Sequence, residues 1–354
     1  MAYSGTTGQT KINVDQLISY AFRDAGKTAE EITPEYIDAA KQALFYNLQN
    51  LSNRGVNLWL LENQLYGALT QQQQLVLPAT TIDVREANWV YVINTQAAEY
   101  LPLDNPQSPA AFDQSLDTPA TSTSGENYFG IQYQQKQSVY YVGFNAYSNA
   151  GSVTYNFAYE YSDDGITWKL KEQLPATTLN DREWAYFNIA ITEPHLFYRL
   201  RETVLTSFEI REIVFSTSQQ VIPLARLNRD DYWNLPNKQF PGQRSLQYWF
   251  DRTIDPSMYL WPVPNNDFQM FQLVVEVQMQ DVGSLTNQIY VPDRWIASVQ
   301  ASLSHKLSLQ LPNIDMTRVG YLEQQAEKLF MQASEEDRDK SPIYFQPNIS
   351  YYTR

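Results

Sequence analysis

Apolar residues recur at helical spacing only near the two ends of this chain, while the long middle alternates apolar and polar. Such a chain is neither a helical bundle nor a sheet throughout. At the N-terminal end, Val14, Leu17, Ile18, Ala21 and Phe22 share one face of a helix predicted over 11–26, with Asn13 as cap and Gly26 as stop. A second helix opens at Thr33 and Pro34, a cap followed by proline at the first helical position. It carries Ile37, Ala40, Leu44, Leu48 and Leu51 to about Asn53, and the two helices are expected to pair antiparallel. Near the other end, Pro292 opens a helix with Trp295, Ile296, Val299, Leu303 and Leu307 on one face, and Pro312 breaks it. A last helix is predicted over 316–334, burying Val319, Leu322, Ala326, Leu329 and Phe330.

Between these ends, period-2 runs fall at 138–144, 152–161, 184–191, 196–201 and 207–215. Asp163-Asp164-Gly165 supplies hairpin chemistry between Tyr161 and Trp168. Short strands with close turns predict an antiparallel β-sandwich. Asn105 to Gly125, rich in Pro, Ser, Thr and Asp, reads as a linker or long surface loop. Extended structure is expected at 65–77, and strands again between 221 and 281, notably 258–261 and 271–279. The fold class is α+β: a helical domain built from both termini, with the sandwich inserted between its parts. The boundaries are 1–93 and 219–334 for the helical domain, 94–218 for the sandwich, and 335–354 for an extended tail.

Composition narrows the function. The absence of cysteine excludes disulfides and Cys-type metal centres. A net charge of −14 repels phosphate backbones and argues against tight nucleic-acid binding, while letting DNA slide past. No run approaches the ~20 apolar residues that span a bilayer, so no membrane partner is expected. Met1 to Gly8 lacks the pattern of a secretory signal. The two histidines, His195 and His305, stand far apart, and no glycine-rich phosphate loop or nucleophile elbow is present. Adjacent acids such as Asp230 and Asp231, or Glu335 and Glu336, read as solvated surface rather than an acid–base pair. No catalytic residue, cofactor or metal is predicted. Arg226, Arg229 and Arg244 read as partners of Asp230, Asp231 or a neighbouring subunit. The 25 Tyr, 16 Phe and 8 Trp fit both β-cores and extensive contact surface.

One run is distinctive. Leu224-Ala225-Arg226-Leu227-Asn228-Arg229-Asp230-Asp231-Tyr232-Trp233 leads to Lys238, then Gln247-Tyr248-Trp249-Phe250-Asp251-Arg252. Tyr259-Leu260-Trp261-Pro262-Val263-Pro264 and Val291-Pro292-Asp293-Arg294-Trp295 follow. In this order they resemble the head-to-tail adaptor family of short-tailed bacteriophages (tail accessory or head-completion factors), over roughly the first 90 residues and from 220 onward. The resemblance implies a non-enzymatic virion protein assembled in the host cytoplasm. It implies a ring of identical subunits, commonly twelve, docked beneath the portal protein at the head–tail junction, with DNA passing through the lumen and the tail nozzle and tail fibres on the far face. It marks Asp231, Tyr232, Trp233, Lys238, Tyr248, Trp249, Trp261, Pro262, Pro292 and Trp295 as structural positions. It also implies that Ile343, Tyr344, Phe345, Ile349, Tyr351 and Tyr352 anchor the tail on the portal.

The 94–218 block departs from the simplest adaptors. Through Tyr159 to Trp168, and Phe197 to Arg201, it resembles a discoidin-like or carbohydrate-binding jelly roll. Contact with neighbouring subunits or tail components is expected of it ahead of glycan binding. A carbohydrate-binding tail component and a cell-wall-hydrolase-associated tail protein are the alternative readings.

Overall fold

The computed structural model describes residues 11–54, 60–92, 97–123, 125–149, 151–190 and 193–337. The chain divides into two compact units, residues 1–61 with 278–354, and residues 62–277. Five α-helices are described: α1 (Val14–Ala25), α2 (Pro34–Asn53), α3 (Arg229–Trp233), α4 (Asp293–Gln310) and α5 (Met316–Glu336). All but α3 belong to the first unit.

Local chemistry sets the ends of these helices. Asn13 and Gln16 cap each other's backbone N–H groups at the start of α1, the reciprocal arrangement that satisfies two orphan donors. Gly26 ends α1 at φ +96°, a left-handed conformation that costs glycine little. At α2 the Thr33 hydroxyl accepts from Tyr36 N–H ahead of Pro34. Pro292 precedes α4 as its cap residue rather than occupying its first turn.

Helix α4 is the hub. It packs on α1, α2 and α5, whereas α1 and α2 meet each other far less than an antiparallel pair would. Buried Asn47 of α2 donates to Val299 O at 3.2 Å and accepts from Ser302 Oγ at 2.7 Å. Trp295 is fully buried and meets Phe330 at 5.7 Å. Ala326, Leu329 and Phe330 are only half-buried, because α5 leans chiefly on α4 and one helix covers part of a stripe. Residues 285–288 pair back onto the start of α1, through Val14 N–H to Asn287 O and Asp15 N–H to Leu285 O, both 3.0 Å.

The second unit begins with β1 (Leu61–Ala68), β2 (Gln74–Val76) and β3 (Thr81–Val90). The glutamine run between β1 and β2 is a turn, with Gln71 at φ +62°. The sandwich follows as β4 (Glu99–Leu101), β5 (Ala120–Thr121), β6 (Tyr128–Gln137), β7 (Tyr141–Ala146), β8 (Val153–Tyr155), β9 (Phe157–Ser162), β10 (Lys169–Gln173), β11 (Thr177–Leu179), β12 (Trp184–Asn188), β13 (His195–Glu202) and β14 (Glu209–Ser216). Its sheets run β10-β9-β13-β6-β4 and β12-β7-β14-β5, with every pairing antiparallel. A β8–β11 ribbon adds to them. Phe129, Phe144, Tyr155, Phe157, Tyr159 and Phe215 fill the space between the faces.

Two expectations change here. The run 152–161 is two strands in different sheets, broken at Asn156, whose backbone N–H donates to Glu202 Oε2 at 2.8 Å rather than to a neighbouring strand. The stretch 105–125 is no free linker. Its short 3-10 turn Ser108–Phe112 drives Ala111 and Phe112 into the sandwich core.

The chain then returns through β15 (Val221–Pro223), β16 (Ala225–Arg226), β17 (Pro241–Gly242), β18 (Gln247–Asp251), β19 (Ser257–Trp261), β20 (Val263–Pro264) and β21 (Gln269–Val277). These complete a β1-β21-β3-β15 sheet and a β16-β18-β19-β2 sheet. Residues 62–90 and 221–277, grouped from sequence with the terminal helices, lie instead in the same unit as the sandwich; strands stand within 65–77 and 221–281, where extended structure was expected.

Candidate functional site

Asp83 on β3 is 2% exposed and is the electrostatic knot of the motif region. It accepts from Arg226 Nη2 at 2.7 Å, from Arg252 Nη2, and from Val84 N–H at 2.9 Å. Burial pushes its carboxyl up, but the hydrogen bonds and charges of Arg226 and Arg252 outweigh that and hold it below the usual aspartate range. Arg226 therefore pairs with Asp83, not with Asp230 or Asp231. Its strand β16 lies parallel to β18, in register with Tyr248, whose hydroxyl reaches Val84 O at 3.4 Å. Among the described residues, Arg229 and Arg244 form no ion pair.

Beside this knot stands an aromatic wall. Asn228 caps α3 by accepting from Asp231 N–H at 2.8 Å, and this single turn sets Tyr232 inward and Trp233 outward. Tyr232 stacks on Trp249 at 5.2 Å, and Trp249 on Tyr259 at 5.0 Å. Trp233 meets Trp249 edge-on at 6.3 Å yet remains 56% exposed. Lys238 donates to Trp233 O at 3.1 Å, with its ammonium 5.2 Å from the indole centroid. Trp261 donates to Asn237 O at 2.9 Å and lies 6.4 Å from exposed Phe240. Pro262 is buried, and its carbonyl accepts from Ser245 Oγ at 2.8 Å.

The fold thus brings Tyr232, Trp233, Lys238, Trp249, Trp261 and Pro262 together, with Asp231 exposed on α3. Pro292 and Trp295 belong to the helical unit. Ile343, Tyr344, Phe345, Ile349, Tyr351 and Tyr352 lie outside the described residues.

The sandwich carries its own polar and aromatic face. Arg199 and Arg201 both pair with buried Glu160, at 2.6 Å each. Burial raises the Glu160 carboxyl, but the bonds from Arg201 and Arg199 prevail and lower it. The Arg199 guanidinium lies 4.0 Å from the Trp168 ring centroid and 4.6 Å from that of Tyr128. The Asp163-Asp164-Gly165 turn joins β9 to β10, and Asp164 Oδ1 accepts from Ile166 and Thr167 N–H at 2.9 and 2.7 Å. His195 stacks on Tyr161 at 3.9 Å and faces Asp163 at 3.3 Å, a structural setting.

Sequence reasoning missed a cleft of about 610 Å3 lined by Trp89, Tyr91, Gln114, Val214, Arg244 and Gln269. Behind Gln114 sits Glu212, fully buried, accepting from the Gln114 N–H at 3.1 Å while its Oε1 has no partner. Burial, and then the neighbouring Asp113 charge, push its carboxyl up to about 9. Nothing in a period-2 strand pattern distinguishes such a glutamate from a solvent-facing one. Among the described residues, no three His, Asp or Glu side chains stand close enough to share a metal ion, and no helix is long and apolar enough to cross a membrane.

No protein-family model matches this sequence, and no curated relative matches it. Among solved structures, the chain is similar to a CBM32 module of Clostridium perfringens, at 13% identity and TM-score 0.28, over 35% of this chain and 91% of that one. It is also similar to an F5/8 type C domain of Bacteroides fragilis, at 15% identity and TM-score 0.26, covering 37% and 98%. A fucose-binding module of Streptococcus pneumoniae matches at 11% and TM-score 0.26, covering 36% and 96%. These neighbours are carbohydrate-binding or discoidin-like β-sandwich domains. The sandwich of this chain is defined by its own strand pairing.

Proposed function

We propose that this chain is a structural subunit of a bacteriophage head-to-tail connector, an adaptor that repeats around a ring between the portal and the tail. The observation that carries the reading is the aromatic wall built from the ordered motif residues. Tyr232, Trp249 and Tyr259 stack inside it, while Trp233 and Phe240 stay exposed. A pre-organised aromatic face with polar surroundings is what subunit contacts use, because Trp and Tyr bury large area at small entropic cost. The −14 charge suits a lumen through which DNA passes without adhering. In this reading the 335–354 tail anchors on the portal, and the outer surface receives the tail nozzle and fibres. No chemical step is assigned to any residue.

The test is cosedimentation of the full chain with purified portal rings. Several copies per ring are expected to pellet. Attachment should fall at least about tenfold when Trp233→Ala is combined with Phe240→Ala, because each copy then holds the portal by its tail alone, without support from its neighbours. Undiminished attachment by that variant contradicts the reading.

A second reading, glycan binding by the sandwich, is favoured by the Tyr128, Trp168 and Arg199 cluster. Aromatic rings beside a paired guanidinium are groups that stack on and hydrogen-bond to sugars. Binding of the full chain to a glycan array, abolished by Trp168→Ala, would support it. A blank array counts against it.

A further inference from the structure

A groove of about 480 Å3 opens in the helical unit beside the first turn of α4. Its walls include Ile12, Ile289, Tyr290, Val291, Pro292 and Ile296. Apolar surface of this kind, left open in a single chain, marks a place where something docks.

The same turn of α4 holds the end of α5. Arg294 Nε donates to Asp337 Oδ1 at 2.7 Å, and Asp337 is buried. Arg294 lies in sequence between Asp293 and Ile296, and both of these line the groove. The chain therefore continues past Asp337 from a point held on the same turn of α4, round the helix from the face that lines the groove. What continues is rich in apolar and aromatic side chains, first Ile343, Tyr344 and Phe345. From Asp337 to Phe345 a fully extended chain spans about 28 Å, enough to round a helix roughly 10–12 Å across and reach the groove. A linker this short gives the segment an effective concentration of millimolar order at the groove, so even weak intrinsic affinity fills it.

We propose that the groove is the docking site for residues 343–345 of the same chain. The aromatic segment is stored on its own helical unit and is released only when a partner competes for it. This goes beyond the connector reading, since it rests on the groove and the Arg294–Asp337 tether and holds whichever partner finally takes the tail. The contact is intramolecular, so it is independent of protein concentration. A second copy in the groove would not be.

The chain contains no cysteine, so one introduced thiol reports on the groove without interference. Lys11 is exposed and lines the groove. The full chain carrying Lys11→Cys is compared with the same chain also carrying Ile343→Ala, Tyr344→Ala and Phe345→Ala. The reaction rate with a small disulfide reagent is read across a hundredfold range of protein concentration. The inference expects modification at position 11 to be at least about fivefold slower with the native segment, equally at every concentration. Tyr290→Cys, a second groove position, should show the same difference. Ile254→Cys, 89% exposed in the other unit, should show none. Equal rates at both groove positions overturn the proposal. So does a slowing that grows with protein concentration, which assigns the groove to a second copy. Portal cosedimentation is scored separately, so either idea can fail while the other stands.

Discussion

The indole N–H of Trp184 donates to the Asp267 carbonyl at 2.9 Å, tying β12 of the sandwich to the turn that leads into β21. Phe268 meets the same indole edge-on at 5.6 Å, and Tyr186 stacks on it at 5.0 Å. Gly67 on β1 makes the approach possible, because a Cβ there would collide with the Trp184 side chain. Together with Val90, Tyr141, Val214 and Met270 these residues form a core shared by the sandwich and the flanking sheet. The sandwich is thus packed onto the flanking sheet of its own unit rather than tethered to it. Trp184→Ala should cost about 3–5 kcal/mol by cavity formation and lost burial. Chemical denaturation of the full chain reads this out, and a loss under about 1 kcal/mol would mean that the shared core is not cooperative.

Glu212 sets a pH dependence of unusual sign. Its folded-state pKa, about 9, lies above the ordinary glutamate value of 4.5, so the folded state holds its proton more tightly than the unfolded chain does. Its stabilising influence is complete below pH 4.5 and drains away as pH rises toward 9. At pH 7 the difference from an unshifted glutamate is of order 3 kcal/mol. Glu212→Gln keeps an acceptor for the Gln114 N–H without the charge. It should flatten this decline and raise the thermal midpoint more at pH 8 than at pH 5. Parallel curves for the two proteins across that range would refute the assignment.

Asp83 behaves the opposite way. Its carboxyl is held below the ordinary value, so its contribution is present above about pH 4 and is lost as pH falls further. Asp83→Asn should cost roughly 2–3 kcal/mol, less than for a fully dry pair because both guanidinium groups reach water. The variant should also lose part of the acid-induced decline. Urea titrations at pH 7 and pH 3 measure both effects, and equal costs at the two pH values would contradict the pairing.

Helix ends were the most legible part of this sequence. Asn13 with Gln16, Thr33 with Pro34, and Gly26 each act through neighbours within a few residues, which a local reading captures. Strand β3 escaped it, because Asp83, Arg85 and Glu86 break the apolar alternation. Asp83 and Arg85 find their partners in Arg226 and Glu276, about 140 and 190 residues away. Register shifts at Val274/Val275 and Glu276/Val277 blur the period further. Helix α3 is a single turn, too short for any periodicity, and it went unread. The polar composition of 105–125 hid Phe112, since composition does not reveal which one side chain a loop buries. The motif residues were visible as a run, but their stacking around Trp249 depends on α3, β18 and β19 meeting in three dimensions.

The connector account is tested most directly by electron microscopy of portal rings incubated with the full chain. It predicts a closed ring of added density, coaxial with the portal and sharing its rotational symmetry, with the aromatic wall at the contact between neighbouring copies. Portal rings that stay bare, or that carry isolated copies without rotational order at saturating concentration, would contradict it.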